Sequence, residues 1–151
     1  MVKVYEVNKE VDIQFKRRIA DLFMGQLDHI GPTNAYDQLI ATIDLALKED
    51  SQAHIFVAEK EQTLVGAAFL NVALSIDKGG HYIWLNDLYV HKEHRNQGIA
   101  KKILLKVIYW AEQEQIKGIE LETGINNEAT KALYNSLGFY DIISKRYGFR
   151  F

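Results

Sequence analysis

The residues best suited to chemistry lie in two neighbouring runs. Leu85-Asn86-Asp87-Leu88-Tyr89-Val90 has the composition of a strand. Beyond a short basic turn, Arg95-Asn96-Gln97-Gly98-Ile99-Ala100 opens an amphipathic helix. That order gathers unpaired backbone N–H groups and the positive end of a helix dipole around one small volume, a setting suited to a pyrophosphate. The spacing separates this run from other phosphate binders. A Walker loop requires G-x-x-x-x-G-K-S/T and a Rossmann turn requires G-x-G-x-x-G, and neither string occurs. What occurs is R-x-x-G-x-A, from Arg95 to Ala100.

A second run lies downstream: Asn127-Glu128-Ala129-Thr130-Lys131-Ala132-Leu133-Tyr134, then Leu137-Gly138-Phe139. Asn127 is a good N-cap for a short helix with Ala129, Leu133 and Leu137 on one stripe, and Gly138 stands where a glycine ends such a helix. Together the two runs resemble the GNAT acetyltransferase superfamily. Its acyl-CoA loop reads Q/R-x-x-G-x-G/A, and its downstream segment reads N-x-A-x-x-x-L-Y followed by L-G-F. The resemblance covers nearly the whole chain, the N-terminal third in pattern only. It implies the GNAT acyl-CoA N-acyltransferase fold, a mixed α/β (α+β) architecture with a central, mostly antiparallel sheet flanked by helices. It also implies acetyl-CoA as cosubstrate, CoA as product and no metal.

The resemblance assigns roles to particular residues. Arg95, Asn96, Gln97, Gly98, Ile99, Ala100 and Lys101 correspond to the loop that holds the CoA pyrophosphate through backbone N–H groups, with Gly98 leaving room for close approach. Ala100 replaces the commoner second glycine. Read without the resemblance, the same loop is an ordinary helix N-terminus with a basic patch of Arg95, Lys101 and Lys102. Leu88, Tyr89 and Val90 would pair with the pantetheine arm, the N–H of Leu88 aimed at the thioester oxygen; their bland reading is a core strand. Tyr134, with Asn127 at the start of its helix, falls at the general-acid position. A phenol of pKa ~10 beside a departing thiolate can protonate or stabilise it; its bland alternative is aromatic packing.

The base is less clearly marked. An alkylamine of pKa ~10.4 must lose a proton before it attacks. Many relatives carry a Glu or His at the strand positions matched here by Asn86 and Trp84, neither of which titrates usefully. Asp87 follows, but strand alternation turns it to the other face unless a bulge intervenes. Glu122 or a water relay is the further option. Asp28, His29 and Tyr36 flank the junction of the first two helices, where the resemblance puts the acceptor, with Asn86 and Glu122 nearby. His91 and His94 lack a third ligand within the same turn, which favours a surface role over a metal site.

These observations predict an N-acetyltransferase acting on a small-molecule or peptide amine. The chain has no cysteine, so direct attack in a ternary complex is expected over a cysteine acyl-enzyme. A non-catalytic acyl-CoA-binding or sensing domain on the same fold is the rival, favoured by the missing carboxylate at position 86. With 151 residues there is room for one domain, residues 1–151. A net charge of −2 argues against nucleic-acid or anionic-membrane binding. The Met1–Tyr5 start reads as a strand, not a signal peptide, and cytoplasm is the expected compartment. A homodimer is compatible with the sequence.

The elements that must position these groups follow from periodicity. Val2, Val4 and Val7 suggest a strand. Phe15, Ile19, Leu22, Phe23 and Leu27 predict a helix over 11–28, and Asn34 is placed to cap a second helix carrying Leu39, Ile43 and Leu47. Residues 54–60 and 63–75 read as a hairpin around Glu61-Gln62, although the usual Asn-Gly signal is absent. A long strand over 81–90, a helix over 98–116 and a strand over 118–123 follow. The motif helix comes next, and two closing strands are predicted over 139–143 and 146–151.

Overall fold

The computed structural model describes residues 1–27, 34–124 and 126–151. Strand β2, Ala53–Lys60, shows why the sheet is sandwiched between helices. Ile55, Phe56, Val57 and Ala58 are all fully buried. Ile55 and Val57 belong to one apolar cluster and Phe56 and Ala58 to another, one on each face. A strand buried on both faces must be covered on both. Strands β1 (Val2–Glu6), β2, β3 (Thr63–Ser75) and β4 (Gly80–Val90) run antiparallel to their neighbours in order. β5 (Ile119–Leu121) joins β4 in parallel.

Helices α1 (Ile13–Leu27) and α2 (Ala35–Ala46) cover one face, seating Ile19, Phe23, Ile43 and Leu47 against Ile55 and Val57. The N–H of Phe15 donates to Asp12 Oδ1 at 2.9 Å at the start of α1. Helix α3 (Ile99–Gln113) covers the opposite face through Ile99, Ile103, Leu104 and Val107. Helix α4 (Glu128–Ser136) adds Leu133, Tyr134 and, just past its end, Leu137 to that side. Among the described residues, no helix is long and apolar enough to cross a membrane.

Most sequence expectations hold within a few residues. The β2–β3 hairpin turns on Glu61 and Gln62 with φ of 51° and 68°. These are the paired positive values a tight two-residue turn needs, reached here without glycine. Asn34 sits at the start of α2, but its side chain caps nothing; its carbonyl accepts from Gln38 N–H instead. The two closing strands do not form. Phe139 N–H is spent on Tyr134 O at 3.1 Å, ending α4, and residues 139–151 carry no ladder bonds. Strand propensity is realised only against a partner edge, and the neighbouring β5 is three residues long. The segment is tied instead through Arg146, which pairs with Glu122 and lies over the Trp84 ring at 5.3 Å.

Gly66 of β3 sets how closely α3 approaches the sheet. A Cβ there would stand 3.0 Å from Ile103 Cδ1, 3.2 Å from Ile99 Cγ2 and 3.2 Å from the Tyr89 carbonyl oxygen. Gly66→Ala should therefore lower stability by ~1–3 kcal/mol through overpacking, read as a shifted urea midpoint. An unchanged midpoint would show that α3 can move aside.

Candidate active site

The site begins with a register slip. β3 and β4 pair with Phe69 opposite Asp87 but Leu70 opposite Leu85, so Asn86 is an extra residue on β4. Such a bulge shifts the side-chain phase by one. Ile83 and Leu85 before it, and Leu88 and Val90 after it, all pack on the α3 side. The condition under which Asp87 could turn is thereby met. Asn86 Oδ1 accepts from Asn71 Nδ2 at 2.7 Å, and Asp87 Oδ1 accepts from Gln26 Nε2 of α1 at 3.2 Å.

The same slip coincides with an open edge. β5 pairs with β4 only over Ile83–Leu85, and among the described residues no strand lies beyond Asp87–Val90. His91 N–H donates to Val65 O of β3 at 2.8 Å. Alternate residues of an antiparallel strand bond the same neighbour, so the N–H and C=O groups of Leu88 and Val90 face outward. Val90 O accepts from Arg95 Nε at 3.1 Å, which folds Arg95 back along this edge.

The edge leads into the start of α3. Gly98, the residue before α3, has φ +75°, and Asn96 has φ +64°. Both are left-handed, a conformation that glycine adopts freely and asparagine tolerates. Lys102 N–H is the first to find a helical carbonyl, Gly98 O at 3.1 Å. Ile99, Ala100 and Lys101 thus present N–H groups with no helical partner. Among the described residues no side chain caps them, and no acidic residue lies in the first turn, an arrangement that favours an anion. A Cβ on Gly98 would meet no protein atom within 4 Å. Glycine is favoured here by φ, and the space above it is open. Lys60, at the end of β2, donates to Gln97 Oε1 at 3.3 Å and adds a cation beside the loop.

Tyr134 packs in the apolar cluster shared by Leu88 and Val90, its ring 5.8 Å from that of Phe139. Burial pushes its phenol above the ordinary tyrosine value. Asn127 accepts from Thr130 N–H at 3.2 Å, capping α4. On the other face, between α1, α2, β3 and β4, Phe23, Leu27, Leu39, Ile43 and Phe69 wall a cavity of about 110 Å³. Gln26, Thr42 and Asp87 supply its polar atoms.

The remaining expected residues are more scattered. Asp28 and His29 lie outside the described residues. Tyr36 packs into the α1–α2 core; burial, and then the Asp21 carboxylate, raise its phenol above the usual value. Glu122 is committed to Arg146. His91 Nδ1 accepts from Glu93 N–H at 3.1 Å, at the start of the 3₁₀ turn Lys92–His94. Among the described residues no group of metal-ligating side chains forms.

A family model for the acetyltransferase (GNAT) family matches residues 17–139. The chain belongs to the GNAT acetyltransferase family. Human N-acetyltransferase 8 is 36% identical over 87 residues, covering 56% of this chain. The chain spans 37% of that relative's length. Among solved structures, a possible acetyltransferase from Clostridium difficile 630 aligns over 100% of this chain and 98% of its own, with a TM-score of 0.80 and 20% identity. An aminoglycoside N-acetyltransferase in complex with CoA aligns over 99% and 95%, with a TM-score of 0.78 and 18% identity. These likenesses show the GNAT fold.

Sequence reasoning missed the GNAT chain's cavity and Lys60. One signal was present: Gln26 is a polar residue on the α1 stripe that carries Phe23 and Leu27. Its partner Asp87 is far away in sequence. Tyr134 yields a direct measurement. The difference in ultraviolet titration between wild type and Tyr134→Phe should place its ionisation above the ordinary ~10. Ionisation at or below that value would mean that the hydroxyl is open to water.

Proposed function

We propose that this chain transfers acetyl from acetyl-CoA directly to a primary amine in a ternary complex. The observation that carries this reading is the edge of β4 over Leu88–Val90, which no described strand covers, leading into the uncapped start of α3. Together they suit an extended amide chain that ends in a diphosphate. Leu88 and Val90 would pair with the amides. Gln97, Gly98, Ile99, Ala100 and Lys101 would hold the diphosphate through N–H groups, with Arg95 and Lys60 beside it. Acetyl-CoA supplies the activated acyl group.

Asp87 takes the proton of the incoming ammonium, directly or through one water, and the neutral amine attacks the carbonyl carbon. The N–H of Leu88 steadies the oxyanion that forms, a contribution of ~3 kcal/mol to the barrier. Tyr134 donates to the sulfur as the carbon–sulfur bond breaks, and its burial keeps the phenol protonated until then. It regains a proton from the nitrogen as the amide forms, and Asp87 releases the proton it took to water, so one proton leaves per turnover. Asp87 is preferred to Glu122 because a guanidinium already occupies the Glu122 carboxylate. The rival reading, an acyl-CoA sensor without turnover, was favoured by the missing carboxylate at position 86; the bulge, which turns the Asp87 carboxylate toward α1, supports turnover instead. Thiol release from acetyl-CoA with a panel of amines tests between them.

Two predictions follow the two halves of the site. Gly98→Glu puts a carboxylate and a strained backbone where the diphosphate would lie, so CoA binding by titration calorimetry should be lost while the far-ultraviolet spectrum is kept. Unchanged affinity would remove the phosphate assignment.

The second concerns proton transfer. Tyr134→Phe and Asp87→Asn should each lower kcat by ~10²-fold, and Glu122→Gln by less than about threefold. With a strongly basic amine, wild-type kcat/KM should still climb above about pH 8 as neutral amine accumulates. It should fall only where the Tyr134 phenol, raised by burial, ionises. If Asp87→Asn keeps the wild-type rate, Asp87 is not the base.

A further inference from the structure

The cavity beside Asp87 narrows what the acceptor can be, an inference that rests on the acetyl-transfer reading. Its walls are mostly apolar, with Gln26, Thr42 and Asp87 as the polar exceptions; among the described residues the Asp87 carboxylate, held by Gln26, is its one charged group. Leu88, whose N–H faces the open edge, is the next residue along. An amine paired with Asp87 is therefore near the place of attack, while the group it carries enters the cavity. At about 110 Å³ the space is smaller than the ~150 Å³ apolar cavity that takes benzene, and it suits a branched chain of roughly four to six carbons.

We propose that the acceptor is a monoamine bearing a compact apolar group, with Asp87 and Gln26 receiving the amine and Phe23, Leu39, Ile43 and Phe69 the hydrocarbon. A second ammonium would enter a mostly apolar space with no second carboxylate among the described residues, and a charge that leaves water without a partner is disfavoured. A diamine of the same length should therefore bind worse than the monoamine. Each buried methylene strengthens binding by about fourfold. The three further carbons of 3-methylbutylamine over ethylamine should then give at least about tenfold, with sixtyfold as a rough ceiling.

Calorimetry on the full chain with CoA present, at fixed pH and ionic strength, tests this with ethylamine, 3-methylbutylamine and putrescine. The expected result is 3-methylbutylamine tighter than either of the others by at least about tenfold. Thr42→Trp, at an exposed position on the cavity rim, should erase the preference. Leu39→Ala should move it toward the bulkier 2-phenylethylamine. Putrescine binding as well as 3-methylbutylamine would overturn the proposal. So would an affinity independent of the carbon chain, or no amine binding by protein that still binds CoA.

Thiol release with the same amines separates this proposal from the reading beneath it. The expected preference in binding without thiol release supports the cavity assignment and overturns acetyl transfer. Thiol release fastest with putrescine upholds acetyl transfer and overturns the cavity assignment.

Discussion

The bulge at Asn86 is the constraint from which the candidate site follows. One extra residue on β4 changes the phase of every side chain after it. Without it, Leu88 and Val90 would turn from the α3 core toward α1 and α2, and Asp87 would turn the other way. β5 stays paired only before the bulge, so the strand it leaves exposed begins where the phase has changed. A carboxylate on one face and unpaired N–H groups at the edge thus have a common origin.

A free edge would be of little use if the helix that follows were not fixed against it. Three features fix it. Gly66 lets Ile99 and Ile103 sit close to β3, His91 N–H bonds to Val65 O, and Arg95 Nε returns to Val90 O. The loop between has two left-handed residues, Asn96 and Gly98. Its conformation is stiffly held at both ends, and this leaves the first N–H groups of α3 free of the chain's own acceptors.

Much of this was legible in the sequence, for local reasons. Helical stripes, the Asn127 cap and the Gly138 stop are short-range properties and appear as expected. Even the bulge left a trace, because Ile83 and Leu85 are followed by Leu88 and Val90, an alternation that slips by one. The features that could not be read depend on distant partners. Asp87 meets Gln26, and Lys60 meets Gln97, only after the sheet has formed. Glu122 is likewise paired with Arg146, a partner from beyond α4. The closing strands failed for a related reason: residues 139–151 have strand-like composition, but composition does not supply an edge to pair with.

The two faces of β4 also divide the labour of the proposed reaction. Tyr134 lies with Leu88 and Val90 on the α3 side, whereas Asp87 faces α1 and α2. On the acetyl-transfer reading, the proton removed from the amine and the proton given to sulfur are handled on opposite sides of one strand. The Leu88 N–H lies at the edge between them. A single carboxylate acting as both acid and base would need its protonation state to reverse within one turnover. Separate groups avoid that demand, and their environments fit the division. Tyr134 is held neutral by burial, and Asp87 is held in place by one amide hydrogen bond at the mouth of an apolar cavity. The bulge makes this separation possible by turning Asp87 away from the face that Leu88 and Tyr134 share.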